Sequence, residues 1–321
     1  MTGLTPDDLA PVLAASALAP QFVAKLAASC RIHDRLHERD PVAFRQLAPQ
    51  IVAIVGSGRS RVDAALLAQL PALKIVALMG TGYEHIDLVA ARTAGVAVTH
   101  TPNVLNDDVA ELAIGLMLAT ARQLVTADKH VRDDHWLQGP MPLARRMSGA
   151  RLGLLGMGRI GQTIAQRAGA FGMIIAYHSR TAKPELPYRH LPDPCALAEQ
   201  SDFLVAITPG GPGTSKLVDA AVLAALGKDG IFVNVSRGSV VDEGALIDAL
   251  ERGVIAGAGL DVFETEPRVP ARLCALPQVV LTPHIGSATL EARQAMAEQA
   301  YSSLQAALQG FRPPCLVPEL R

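Results

Sequence analysis

Short β-branched apolar runs alternate with stretches of helical periodicity along almost the whole chain. That alternation predicts parallel sheets wrapped in helices. In the first third it places strands over residues 12–15, 29–33, 51–55, 75–79 and 96–99, with helical segments between them. Gly95 reads as a helix stop before the last of these strands. A long helical pattern follows over residues 107–129. Asn106, Asp107 and Asp108 offer it a cap and an acidic first turn. Residues 112–119 are apolar nearly all round, as in a helix buried on several sides. Residues 130–146 are polar and irregular and hold the only tryptophan, Trp136. A second alternation runs over residues 151–287. A last helix is predicted over 290–308, before Pro313-Pro314.

Within the second alternation, three apolar runs end in polar residues with chemical capacity. Gly230-Ile231-Phe232-Val233-Asn234-Val235 leads into Ser236-Arg237-Gly238. Residues 254–260 lead into Asp261-Val262-Phe263-Glu264-Thr265-Glu266-Pro267. Val279-Val280-Leu281 leads into Thr282-Pro283-His284-Ile285-Gly286. Ligands of open α/β sheets sit outside the carboxyl ends of strands. Arg237, Glu266 and His284 are therefore expected to meet in one cleft, as an anion binder, a carboxylate and an imidazole. Taken singly, each has a plain structural alternative in a turn, a loop start or a satisfied polar group.

The strand pattern of residues 151–155 runs into Gly156-Met157-Gly158-Arg159-Ile160-Gly161 and then a helical pattern over 162–169. This is G-x-G-x-x-G in the setting a dinucleotide site requires. The glycines serve the tight turn, the approach of the pyrophosphate and the helix–strand contact. Free N–H groups at the helix start favour the phosphates. An NAD site usually carries an acidic residue at the end of the next strand, for the ribose 2′-OH. Here residues 173–177 end in His178-Ser179-Arg180-Thr181. Ser179, Arg180 and Thr181 suit a 2′-phosphate, so NADPH is the expected cofactor, with NADP preferred over NAD.

Composition narrows the class further. At 321 residues, half of them hydrophobic, the chain is long enough for two domains with substantial cores. A formal net charge of −1 gives no field for a polyanion, so no nucleic-acid partner is expected. No apolar run of membrane-spanning length occurs, and the N-terminus has no signal-peptide pattern. Cys30, Cys195, Cys274 and Cys315 are scattered without C-x-x-C spacing. That fits reduced thiols in the cytoplasm and gives no metal site.

The glycine motif, Asn234-Val235-Ser236-Arg237-Gly238, the block over residues 259–267 and Thr282-Pro283-His284-Ile285-Gly286 together resemble the signature blocks of the D-2-hydroxyacid dehydrogenases, in order over nearly the whole chain. The nearest branch is the NADPH-dependent glyoxylate/hydroxypyruvate reductases. The resemblance implies two doubly wound parallel-sheet α/β domains. A Rossmann cofactor domain, 99–289, is inserted in a flavodoxin-like substrate domain, 1–98 plus 290–321, with hinge crossings near 99–101 and 287–289. Arg237 would bind the carboxylate and carbonyl oxygen of a 2-oxo acid. His284 would donate the proton in reduction, and Glu266 would pair with it. Spacing alone does not choose between Glu264 and Glu266; the family's position before proline does. Asp261 would contact the nicotinamide carboxamide. Thr208, Pro209, Val235 and Gly286 would complete the cofactor site. Gly80-Thr81-Gly82 would hold the substrate carboxylate on backbone N–H groups. The helix after Asp107 and the arm up to Arg146 would form a homodimer interface, with Trp136 either reaching the partner or packing as an ordinary interface or core aromatic.

The physical chemistry agrees. Hydride addition to a ketone builds negative charge on oxygen, which Arg237 stabilises and a protonated imidazole neutralises. A neighbouring carboxylate favours that protonated form. Asn106 departs from the Thr or Ser common in relatives. Tyr83 and His85, beside the carboxylate loop, are read as packing or surface residues. Two other readings stay open. One keeps the chemistry and changes the acid to a sugar-derived 2-keto acid or an aryl pyruvate. The other is a dinucleotide-sensing binding protein like the corepressors built on this fold.

Overall fold

The computed structural model describes residues 9–321. The chain divides into two compact units. One takes the chain up to Leu105 and again from Thr289; the other is Asn106–Ala288.

The first unit holds strands β1 (Ala10–Ala14), β2 (Cys30–Asp34), β3 (Ala53–Ser57), β4 (Ile75–Met79) and β5 (Ala97–Thr99). They pair in parallel in the order β2-β1-β3-β4-β5. This is the flavodoxin-like order with its switch point between β1 and β3. The interior strand β4 is buried at all five positions, so its continuous apolar run has both faces covered. Gly95 has φ 69°, the left-handed stop expected after the helix Leu88–Thr93. The last helix, Leu290–Leu308, is capped by the Thr289 hydroxyl on the N–H of Ala292 and packs on β4.

Residues 99–105 stay with this unit, so the first boundary falls at 105/106 rather than 98/99. Backbone hydrogen bonds hold them there. Thr101 N–H donates to Gly80 O at 2.8 Å, and His100 N–H to Cys315 O at 3.1 Å.

The second unit holds β6 (Arg151–Leu155), β7 (Ile174–His178), β8 (Arg189–His190), β9 (Phe203–Ala206), β10 (Ile231–Asn234), β11 (Gly257–Leu260) and β12 (Val279–Leu281). All pair in parallel, in the order β12-β11-β10-β9-β6-β7-β8. The chain runs outward from β6 through β8 and returns on the other side at β9. Its switch point therefore lies between β6 and β9. Phe203 and Phe232 are fully buried in this unit, each worth about 3–5 kcal/mol on truncation to Ala.

The expected single helix over 107–129 is two helices, Asn106–Ala121 and Leu124–Arg132, bent by 58°. Gln123, at φ 52°, makes the break. Neither Gly nor Pro marks it in the sequence. Packing decides: the first helix buries eight residues and the second buries none. No single helix among the described residues is long and apolar enough to cross a membrane.

Candidate active site

The glycine turn lies at the switch point. Gly156 has φ 113°, and a Cβ there would lie 2.8 Å from Ile207 O, just past β9. Only glycine fits that backbone. A Cβ on Gly161 would meet Gly156 O at 2.4 Å, so the helix Arg159–Gly169 packs tightly against the turn. Gly158 differs: a Cβ there would meet nothing within 4 Å. The N-terminus of an 11-residue helix, uncapped by any side chain, thus opens onto a cradle. A dinucleotide pyrophosphate fits that cradle, where N–H groups and the helix dipole favour negative charge.

Arg159 and Ile160 open the helix, while Thr208 and Pro209 follow β9. Val235 follows β10 and donates its N–H to Ala206 O at 3.2 Å. At the end of β7, His178 Nδ1 donates to Leu191 O at 3.1 Å. The Ser179 hydroxyl donates to Thr181 O at 2.7 Å, closing the turn on itself. Arg180 is exposed and, among the described residues, makes no hydrogen bond or ion pair.

Arg237, Glu266 and His284 follow the C-terminal ends of β10, β11 and β12, three adjacent strands. His284 Nδ1 lies 2.7 Å from Glu266 Oε2. The other oxygen, Oε1, accepts the N–H of Phe263 at 3.2 Å, which fixes the carboxylate's orientation. Glu266 has 15% of its side chain exposed and His284 33%, so the pair is partly shielded while the imidazole stays reachable. His284 has φ 55°, a left-handed backbone unusual for a side-chain-bearing residue. Its N–H bonds to Asp261 O at 2.9 Å hold it there.

Arg237 reaches the same cluster through its neighbours. A Cβ on Gly238 would lie 2.0 Å from Phe263 O, so this glycine lets the Arg237 turn abut the loop that carries Glu266. A Cβ on Gly210 would lie 3.1 Å from Arg237 Cγ, so its absence gives the arginine room. The Arg237 guanidinium also donates to Ser236 O at 2.7 Å. An anion binder and a carboxylate-backed imidazole at adjacent strand ends can hold an acid and move a proton on its carbonyl oxygen.

The match to known proteins decides the family at this point. Residues 114–286 match the model of the D-isomer specific 2-hydroxyacid dehydrogenase NAD binding domain. The chain belongs to that family. Glyoxylate/hydroxypyruvate reductase A of Arabidopsis thaliana is 46% identical over 81% of this chain and 83% of its own length. Hydroxyphenylpyruvate reductase of Plectranthus scutellarioides is 44% identical over 88% of each. The NADPH-dependent glyoxylate/hydroxypyruvate reductase of Sinorhizobium meliloti, solved with NADP and malonate, superposes with a TM-score of 0.91. It is 39% identical and covers 97% of each chain.

Within this dehydrogenase unit, Asp261 does more than the sequence suggested. It is 1% exposed, and its two oxygens accept from the Thr282 hydroxyl (2.7 Å), Ile285 N–H (2.8 Å) and Gly286 N–H (2.9 Å). Three of about four lone-pair sites on a carboxylate are thus taken by the turn that carries His284. A Cβ on Gly286 would sit 3.2 Å from Asp261 Oδ2, so the glycine gives this carboxylate room. Sequence reasoning missed Asn234 and Thr282 as supports. Asn234 is buried; its Oδ1 accepts from Ser236 N–H and Oγ, and its Nδ2 donates to Arg237 O at 3.0 Å. An Asn at a strand end followed by Ser is an Asx-turn signal that could have found it. Gly80-Thr81-Gly82 belongs to the first unit, directly after β4.

Proposed function

We propose that this chain reduces a small 2-oxo acid, glyoxylate or hydroxypyruvate, to the D-2-hydroxy acid using NADPH. The carrying observation is the 2.7 Å His284–Glu266 pair, on strand ends of the same sheet as the dinucleotide cradle. The nicotinamide supplies the hydride when bound. Arg237 holds the acid's carboxylate and polarises its carbonyl. Gly80-Thr81-Gly82 adds backbone N–H groups for the carboxylate. His284, oriented by Glu266, delivers the proton from Nε2 to the carbonyl oxygen. In the reverse direction the same nitrogen takes the proton back. Asp261 holds the His284 turn and keeps one lone pair for the nicotinamide carboxamide.

NADP preference rests on the exposed Arg180 with Ser179 and Thr181, and on the absence of an acidic residue at the end of β7. The NADP-bound Sinorhizobium relative supports it. A homodimer in the cytoplasm is the assembly we infer. Leu124, Val125, Val131, Trp136, Leu137 and Leu143 are all exposed on the second helix of the bent pair and the arm after it. Clustered exposed apolar side chains mark interaction surfaces.

A second substrate reading has specific support. Relatives of comparable identity are named hydroxyphenylpyruvate reductase and, in Gluconobacter oxydans, 2-ketogluconate reductase at 42% identity. A panel of glyoxylate, hydroxypyruvate, an aryl pyruvate and 2-ketogluconate, each with NADPH and NADH, separates the readings. No turnover of any pair would leave a dinucleotide-sensing protein as the better account.

A further inference from the structure

The turn Gly80-Thr81-Gly82 is anchored by its first two carbonyls. Thr101 N–H donates to Gly80 O at 2.8 Å. His100 Nδ1 lies 3.1 Å from Thr81 O. A carbonyl only accepts, so Nδ1 carries the proton and the tautomer is set. A trans peptide is planar, and its C=O and N–H point in opposite directions. Fixing Gly80 O therefore aims the Thr81 N–H, and fixing Thr81 O aims the Gly82 N–H, each away from residues 100 and 101. Among the described residues neither N–H has an acceptor in the protein. Two successive N–H groups thus stand locked and available, as an anion nest requires.

His100 is itself held firmly. It is 8% exposed, between Thr99 and Thr101, which are fully buried. Its ring meets Tyr83 edge-on, with centroids 5.4 Å apart. The Tyr83 hydroxyl donates to the Glu319 carboxylate at 3.1 Å. The last residues run back along this edge as a strap. Val317 N–H donates to Val98 O at 3.0 Å, His100 N–H donates to Cys315 O, and Arg92 donates to Glu319 O. On the other side, a Cβ on Gly58 would lie 2.9 Å from Gly82 O, so the neighbouring turn packs backbone to backbone against this one.

We propose that His100 is a positioning residue for the substrate carboxylate: with Thr101 it locks the two peptide planes of the 80–82 turn, and the Tyr83–Glu319 contact and the C-terminal strap hold the clamp. This rests on the reading of that turn as the carboxylate loop. His100 touches neither substrate nor cofactor; it acts through the Thr81–Gly82 peptide. The penalty for losing it falls on binding of the acid, because the turn must then be ordered by the ligand itself.

The test uses glyoxylate and hydroxypyruvate as substrates and oxamate as an unreactive carboxylate probe. In the wild type, oxamate with NADPH should shift the amide resonances of Thr81 and Gly82. No shift there overturns the carboxylate-loop reading, whatever His100 does. Given the shift, H100L should raise KM for the acid about five- to tenfold, the size of one positioned hydrogen bond. Its kcat and its KM for NADPH should stay within about twofold. H100N, whose amide restores a donor near the place of Nδ1, should recover most of the loss. An unchanged KM in a folded H100L overturns the clamp, as does a loss that H100N fails to rescue. Y83F and E319A loosen the clamp from its outer end and carry the test if the His100 variants do not fold. A raised acid KM in them supports it, and wild-type values overturn it.

Discussion

The Nδ1 of His284 and the Oε2 of Glu266 lie 2.7 Å apart, and an ionised carboxylate can only accept. The proton between them therefore sits on Nδ1, and in the proposed function it is Nε2 that exchanges the proton of the reaction. H284A should lower kcat for reduction by about 10²–10⁴-fold, the usual range for a positioned acid. E266Q should lower it less. Steady-state kinetics of both variants check this, and wild-type kcat in a folded H284A would remove His284 as the acid.

The Asp261–Thr282 contact gives a subtler expectation. T282V deletes one of three donors to a buried carboxylate and loosens the His284 turn without touching the histidine. A loss of about 1–3 kcal/mol of stability is expected, with kcat reduced more than KM. Thermal melts with steady-state kinetics read both. Wild-type kcat in a destabilised T282V would show that the turn needs no help from Asp261.

Arg180 carries the cofactor prediction. R180A should reduce the ratio of kcat/KM for NADPH over NADH by about tenfold or more, the scale of one charge-assisted hydrogen bond. The change should lie in the KM for NADPH. A wild-type enzyme preferring NADH tenfold would sink the assignment before any variant was made.

Asp202 ties the start of β6 to the start of β9. Its carboxylate takes the Arg151 N–H at 2.8 Å and the guanidinium groups of Arg151 and Arg145 at 3.0 Å. Burial works to raise its pKa, but the Arg151 side-chain and backbone hydrogen bonds outweigh it and hold it below the usual carboxylate range. A group depressed in the folded state stabilises above its unfolded pKa, near about 4, and loses that contribution as pH falls through the folded value. D202N should therefore melt a few degrees below wild type at pH 7. The gap should close at lower pH, and a constant gap would refute the linkage.

Tyr83 offers a spectroscopic check on the C-terminal strap. Burial first, and then the Glu319 carboxylate, push its phenol up to about 12. An alkaline absorbance titration should show a late tyrosinate component that is missing in Y83F and shifted down in E319Q. No change in E319Q would mean that Glu319 does not sit against the hydroxyl in solution.

Much of this was legible in the chain. The periodicities of 2 and 3.6 set the sheets and helices because every strand of a doubly wound sheet must be apolar and every covering helix must offer one apolar face. The strand over 75–79 and the helix over 290–308 were readable to the residue. Glycines at 156, 158 and 161, the missing acid at the end of β7, and the placement of Arg237, Glu266 and His284 in the loops after three strands were readable, because the order of apolar runs and polar blocks along the chain shows which residues follow a strand. Tertiary structure decided the rest. The bend at Gln123 has no local marker and follows from burying residues 106–121 while leaving 124–132 in solvent. Residues 99–105 stay with the first sheet through hydrogen bonds to Gly80 and Cys315, partners far away in sequence. Asp261 became the anchor of the His284 turn, and His100 the anchor of the Thr81 carbonyl, through contacts spanning about twenty residues. Spacing along a chain determines which residues share an element. Which donor meets which acceptor is determined only when the elements pack.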